Sequence, residues 1–182
     1  SSSGLQASSP DDQFWHQDSP NVDGVPEDSD FFSWSLAAGD FNGDGRDDLA
    51  VGVPFEDIGS PTIFEAGIVQ VLYGSSSGLQ ASSPADQTWN QNTSSVKDTA
   101  ETNDSFGWSL AAGDFNNDGR DDLAVGVPFE SVVSVLDAGA VNILYGSSSG
   151  LQASSPDDQF WHQDSPNVDG VAESGDELGY TL

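Results

Sequence analysis

Apolar residues in this chain fall in short runs, each broken by Gly, Pro, Ser or Asn before any helical periodicity develops. Leu49–Pro54 and its counterpart Leu123–Pro128 are apolar and halted by proline. Gly67–Tyr73 and Gly139–Tyr145 are rich in β-branched residues and bounded by glycine, as strands are. Ser33–Gly39 and Gly107–Gly113 are small and mixed, and each leads into an acidic turn. Around Trp15, Trp89 and Trp161, aromatic residues stand among polar ones, as on a half-exposed outer strand. The pattern predicts four short strands per unit and an all-β chain.

The unit repeats. Ser-Ser-Ser-Gly-Leu-Gln-Ala-Ser-Ser-Pro begins at Ser1, Ser75 and Ser147, and Trp34, Trp108 and Tyr180 keep the same spacings. Four strands per repeat make a propeller blade, a four-stranded antiparallel meander that must pack against other blades. A β-sandwich or an open solenoid would use similar strands. The period, however, exceeds a solenoid rung, and each repeat holds its own meander. The expected organisation is an outer strand of a preceding blade plus an inter-blade loop over 1–30, blades over 31–104 and 105–177, and the start of a further blade over 178–182. Two blades cannot close a ring, so we expect an incomplete ring in one chain. It would be a piece of a larger propeller or a protomer completed by copies of itself, with the strand near Ser1–Asp18 and the segment Leu178–Leu182 covering sheet edges. Ser1–Val25 recurs letter for letter at Ser147–Val171, as recent duplication or engineering would each leave it. A chain that begins at Ser1 and lacks methionine reads as a processed, trimmed or excised fragment.

Charge narrows the function. With 31 Asp+Glu against 3 Lys+Arg, the formal net charge is -28. Such a chain repels nucleic-acid backbones and anionic membranes and attracts cations. Hydrophobic residues at 35%, with 5 Trp and 10 Phe, still suffice for a folded core. The absence of cysteine excludes disulfides and thiolate metal sites. No apolar stretch approaches the length of a membrane span, so no membrane insertion is expected.

The acidic turns carry the chemistry. In the first, Asp40, Asn42 and Asp44 occupy positions 1, 3 and 5, Gly45 position 6, Arg46 position 7 and Asp48 position 9. Asp114, Asn116, Asp118, Gly119, Arg120 and Asp122 repeat the pattern. Alternating oxygen-bearing side chains converge on the inside of a curled backbone, the glycine tolerates the reversal, and the arginine offers its main-chain carbonyl. Oxygen-only ligands in this number favour Ca²⁺ over zinc, copper or the more rigid Mg²⁺. An EF-hand needs a bidentate Glu at position 12 between helices, but Val51 and Val125 stand there in apolar strands. The loop is therefore read as a hairpin connection held shut by calcium. A plain tight turn would not need four oxygen-bearing side chains at alternating positions. Asp47 and Asp121 lie out of phase and are expected to face solvent.

These residues resemble the FG-GAP repeats of integrin alpha subunits and of bacterial surface and secreted proteins. Phe106-Gly107 supplies the "FG" and Gly126-Val127-Pro128 stands where "GAP" is expected. The first repeat departs with Phe32-Ser33, although Gly52-Val53-Pro54 is intact, and the last segment reads Leu178-Gly179. The resemblance implies a propeller, commonly seven-bladed, with calcium loops between the first two strands of a blade. It implies no particular ligand.

Weaker signals are read as structural. Asn21-Val-Asp23-Gly24 and Asn167-Val-Asp169-Gly170, followed by Glu27 or Glu173, resemble cation-loop fragments but fit ordinary inter-blade turns. His16 and His162 sit where the middle repeat has Asn90, so neither is assigned a role. The tryptophans are expected to pack between blades. No nucleophile–base constellation or phosphate-cradling loop is present. The expected function is a non-catalytic, calcium-binding extracellular module for adhesion, surface structure or protein recognition, its calcium affinity suited to millimolar external calcium. The alternatives are an accessory propeller of a larger secreted enzyme and a self-assembling scaffold without a ligand.

Overall fold

The computed structural model describes residues 12–182, and among them all regular structure is strand. None forms a helix long and apolar enough to cross a membrane. Strand β1 (Ser35–Gly39) pairs antiparallel with β2 (Asp48–Val53), and β2 pairs with β3 (Ile68–Ser75). Two short strands then share β3: β4 (Gly78–Gln80) lies against its end and β5 (Gln87–Trp89) against Val69–Val71. The second sheet repeats this with β6 (Ser109–Gly113), β7 (Asp122–Val127), β8 (Ala140–Ser147), β9 (Gly150–Gln152) and β10 (Gln159–Trp161). Both are propeller blades.

The runs that looked continuously apolar do face two ways. On β3, Val69, Val71 and Tyr73 join a core shared with the second sheet. Leu72 points to the other face, against Val22, Ala81 and Trp15. Leu110, Leu123, Val125, Val127 and Leu144 fill the same core from the second sheet. The main core therefore lies between the blades rather than within either one.

Equivalent residues record which blade face has a neighbour. Phe41, under the second sheet, is fully buried, whereas Phe115 one repeat later is 53% exposed. Leu110 faces the first sheet at 9% exposure, whereas Leu36 is 55% exposed. Burial here is set by the adjacent blade, not by the residue.

Close backbone approach makes the joint. Strands β1 and β6 are the neighbouring edges. A Cβ on Gly52 would lie 2.1 Å from the Gly107 carbonyl oxygen, and that oxygen accepts a 2.6 Å hydrogen bond from the Ser35 hydroxyl. Gly126, Gly179 and Ser109 reproduce the arrangement at the far side of the second sheet. Beside it, the N–H groups of Asn103, Ser105 and Phe106 donate to the carbonyls of Phe64, Glu65 and Ala66. Gly175, Glu177 and Leu178 do the same to Leu136, Asp137 and Ala138. Glycine is required because two main chains meet where any side chain would intervene.

The outer strand differs from expectation. The serine-rich phrase after β3 lacks the composition of a strand, yet it supplies β4 and β9 as short hairpin returns, leaving only three-residue strands at Trp89 and Trp161. The strand expected near Ser1–Asp18 falls partly outside the described residues. From Asp12 to His16 the chain forms no strand. Gln13 instead exchanges hydrogen bonds with the main chain of Leu79.

Candidate metal centre

The two acidic turns are the β1–β2 and β6–β7 connections. Position 6 carries a left-handed backbone in both, with φ of +84° at Gly45 and +90° at Gly119, and no atom within 4 Å of where a Cβ would stand. Glycine is needed there for conformation, not for space. Position 4 is also left-handed, at Gly43 and Asn117, which explains why these two residue types exchange between the copies.

The curl turns side-chain oxygens inward. Asp40 accepts from the N–H groups of Asp44 (2.9 Å) and Gly45 (2.8 Å), Asn42 from Asp44 (2.8 Å), and Asp44 from Arg46 (3.0 Å). Asp114, Asn116 and Asp118 repeat these bonds onto Asp118, Gly119 and Arg120. Asp48 and Asp122 are buried and behave differently. Asp48 accepts from Phe41 (3.0 Å) and Gly74 (2.8 Å), and Asp122 from Phe115 and Gly146 (both 2.9 Å). They anchor the turn to the third strand of the blade. Burial pushes the Asp48 carboxyl up to about 6, Asp40 and Asp44 add to the rise, and the two N–H donors oppose it. Burial raises Asp122 as well, against its own N–H donors.

Positions 1, 3 and 5 thus share one concave surface, while position 9 is held by main-chain donors. The carboxylates of Asp40, Asp44 and Asp48 do not form a trio within 4.8 Å of one another, nor do those of Asp114, Asp118 and Asp122. Arg46 and Arg120 reach back to Asp44 (3.1 Å) and Asp118 (3.9 Å) as exposed pairs of little energetic weight.

Asp121 corrects the expectation that it faces solvent. Its carboxylate accepts from the Asp40 N–H at 2.9 Å, and its own N–H donates to the Asp40 carbonyl at 3.1 Å. Arg120 also lies over Gly43, so the second turn braces the first. Asp47 is exposed. The difference lies in the presence of a neighbouring blade, which one turn cannot announce. Asp121→Ala should lower the melting temperature by roughly 2–4 °C, the loss of about 1 kcal/mol, whereas Asp47→Ala should leave a thermal scan unchanged.

Comparison with protein-family models matches the FG-GAP repeat at residues 32–72 and 106–144. The chain carries two FG-GAP repeats. Their glycines are those of the inter-blade joint: Gly107 belongs to the "FG" element, and Gly52 and Gly126 open the Gly-Val-Pro elements packed against the next blade. Among curated relatives, phosphatidylinositol-glycan-specific phospholipase D of Rattus norvegicus is 37% identical over 123 residues, 68% of this chain and 14% of the relative. Integrin alpha-PS2 of Drosophila melanogaster is 32% identical over 124 residues, 66% of this chain and 8% of the relative. Integrin alpha-7 of Homo sapiens is 34% identical over 128 residues, 67% and 9%. The chain thus corresponds to a small part of much longer proteins.

The remaining signals resolve around the FG-GAP repeats. Trp34, Trp108 and Tyr180 form a ladder with ring centroids 4.9 and 5.2 Å apart, one ring per repeat, which is the inter-blade packing expected of tryptophan. His16 and His162 lie against Phe14 and Phe160. The Asp23 N–H donates to the Asp86 carboxylate. Glu27 gathers instead with two residues whose association spacing did not reveal, Asp30 and Glu56.

Proposed function

We propose that this FG-GAP module is a calcium-binding, non-catalytic propeller segment acting outside the cell in adhesion, surface structure or protein recognition. The observation that carries the reading is the inward convergence of oxygens from Asp40, Asn42 and Asp44, reproduced by Asp114, Asn116 and Asp118. With calcium, Arg46 and Arg120 would add main-chain carbonyls, and Asp48 and Asp122 would close the far side after yielding one N–H contact each. The ion supplies positive charge where carboxylates otherwise repel, coupling metal binding to closure of the hairpin. Solvent-exposed Leu36 and Phe115 favour further blades on both sides, contributed by a longer chain or by copies of this one. Millimolar extracellular calcium matches sites of modest affinity.

Calorimetric titration of the chelator-treated chain tests the metal, and mass measurement by light scattering tests the blades. The expected results are calcium binding lost in D40N/D44N/D114N/D118N and an assembly larger than one chain. Unchanged binding in that variant would sink the loop assignment, and a stable folded monomer would remove self-assembly.

A second reading is an accessory propeller in a larger secreted enzyme. The observation favouring it is the 37% identity to a phospholipase D of which the matched segment makes up only 14%. Catalysis would then lie on other residues of such a chain.

A further inference from the structure

Outside the acidic turns, two groups of three carboxylates come together, and they occupy equivalent places. Glu27, Asp30 and Glu56 form one, and Glu101, Asp104 and Glu130 the other, with ligand oxygens in each lying within 4.8 Å of one another. Glu27–Asp30 and Glu101–Asp104 precede the first strand of a blade, and Glu56 and Glu130 follow the second. Both groups therefore lie at the end of the blade opposite the β1–β2 and β6–β7 turns. Only the topology unites them, since Glu56 and Glu130 are far along the chain from their partners.

In each group two of the three carboxylates are buried and one, Glu27 or Glu101, is exposed. Asp104 is 2% exposed and Glu130 is fully buried. Glu130 Oε2 accepts from Gln91 Nε2 at 2.5 Å, but Glu130 Oε1 is buried without a hydrogen-bond partner, as is Gln91 Oε1. The Asp104 carboxylate also caps the Glu101 N–H, which fixes it beside the other two. Gln17 donates to Glu56 in the first group as Gln91 does to Glu130. In the second group a buried carboxylate thus keeps one oxygen without a protein donor while two further carboxylates stand beside it, and a cation is what such a geometry accommodates.

We propose that Glu101, Asp104 and Glu130, and equivalently Glu27, Asp30 and Glu56, hold a divalent cation of the calcium class at the end of each blade opposite its acidic turn. The size fits: oxygens up to 4.8 Å apart can share one ion at the 2.3–2.6 Å distances of calcium. The unpartnered Gln91 Oε1 is a candidate neutral ligand of the kind calcium accepts. At the first group a cleft of about 330 Å³ lined by Glu27, Asp30, Phe31, Phe55, Asp57 and Glu65 gives access from solvent. Asp104 lies between Asn103 and Ser105, whose N–H groups bind the first blade, while Glu130 belongs to the second. An ion here ties the connecting segment to the second blade beside its seam with the first. The site is independent of the acidic turns, and neither assignment needs the other.

Equilibrium dialysis of the full chain with calcium alone tests this. Wild type should bind about four ions, two in the turns and two in these groups. D40N/D44N/D114N/D118N should retain about two, and E56Q/E130Q should lose about two while keeping those of the turns. An unchanged count in E56Q/E130Q would overturn the proposal and leave the turn sites standing. Complete loss of binding in the turn variant, with that variant folded by circular dichroism, would overturn it too. Glu130→Gln serves as the fold control. It keeps shape and removes a buried charge, so in chelator it should melt above wild type while binding about one ion fewer. A group that merely shared a proton would leave its ion count unaltered.

Discussion

Chelation of calcium at pH 8 is expected to lower the melting temperature by roughly 10–20 °C. Two turn sites held at a hundredfold excess over their dissociation constants each contribute about 2.7 kcal/mol, and a domain of this size moves roughly 2–4 °C per kcal/mol. The metal-free protein should also respond to pH in a definite direction. Burial drives Glu130 up to about 8 and Glu56 up to about 7, with neighbouring carboxylates adding to both, and burial drives Asp104 up to about 6. Each is an acid whose folded-state pKa exceeds its unfolded value, so the unfolded chain ionises first as pH rises. The metal-free fold therefore carries no penalty below about pH 4. It loses stability progressively between there and pH 8, beyond which the loss is complete. Thermal scans in chelator from pH 5 to 8 should show a falling melting temperature, and saturating calcium should flatten the upper part of that decline. A metal-free protein that melts highest at pH 8 would contradict the burial of these groups as described.

Gly52→Ala is expected to cost about 3 kcal/mol, lowering the melting temperature by roughly 6–12 °C. The added methyl would meet both the Gly107 carbonyl oxygen and the Ser35 hydroxyl at 2.1 Å. The Gly107 N–H is bonded to the Gly126 carbonyl of its own sheet, which keeps the residue from stepping aside, so the blades must part. Gly45→Ala makes the contrast. Nothing lies within 4 Å of its Cβ position, and only the left-handed φ is strained, at about 1 kcal/mol. Differential scanning calorimetry on the pair separates close approach from conformational strain. Equal effects from the two substitutions would remove the seam as the reason for glycine at position 52.

The strands of each blade were legible because Gly and Pro bracket them and β-branched residues fill them. Leu49–Pro54 and Gly67–Tyr73 correspond within a residue or two to β2 and β3. The turn residues were legible because alternation along a short segment is a local property. What escaped is what depends on a neighbour. Asp47 and Asp121 occupy the same place in the repeat, yet only Asp121 finds a second blade to bond. Glu56 and Glu130 sit in the apolar-flanked phrase Gly-Val-Pro-Phe-Glu and look like ordinary exit residues. Their gathering with Glu27–Asp30 and Glu101–Asp104 follows from strand order, which no spacing rule encodes. The division of β3 between β4 and β5 was hidden for a similar reason: serine and glycine in a short return lack the composition of a strand.

The serine hydroxyl and small-residue contact between Ser35, Gly52 and Gly107 is repeated among Ser109, Gly126 and Gly179, so every unit brings one half of a coupling at its front and the other at its back. Copying or deleting a whole unit in frame then places familiar surfaces against one another. Propellers of this kind can change in length by whole units, without a period of mismatched intermediates, and the verbatim recurrence of Ser1–Val25 at Ser147–Val171 is what duplication or engineering of such a unit would each leave.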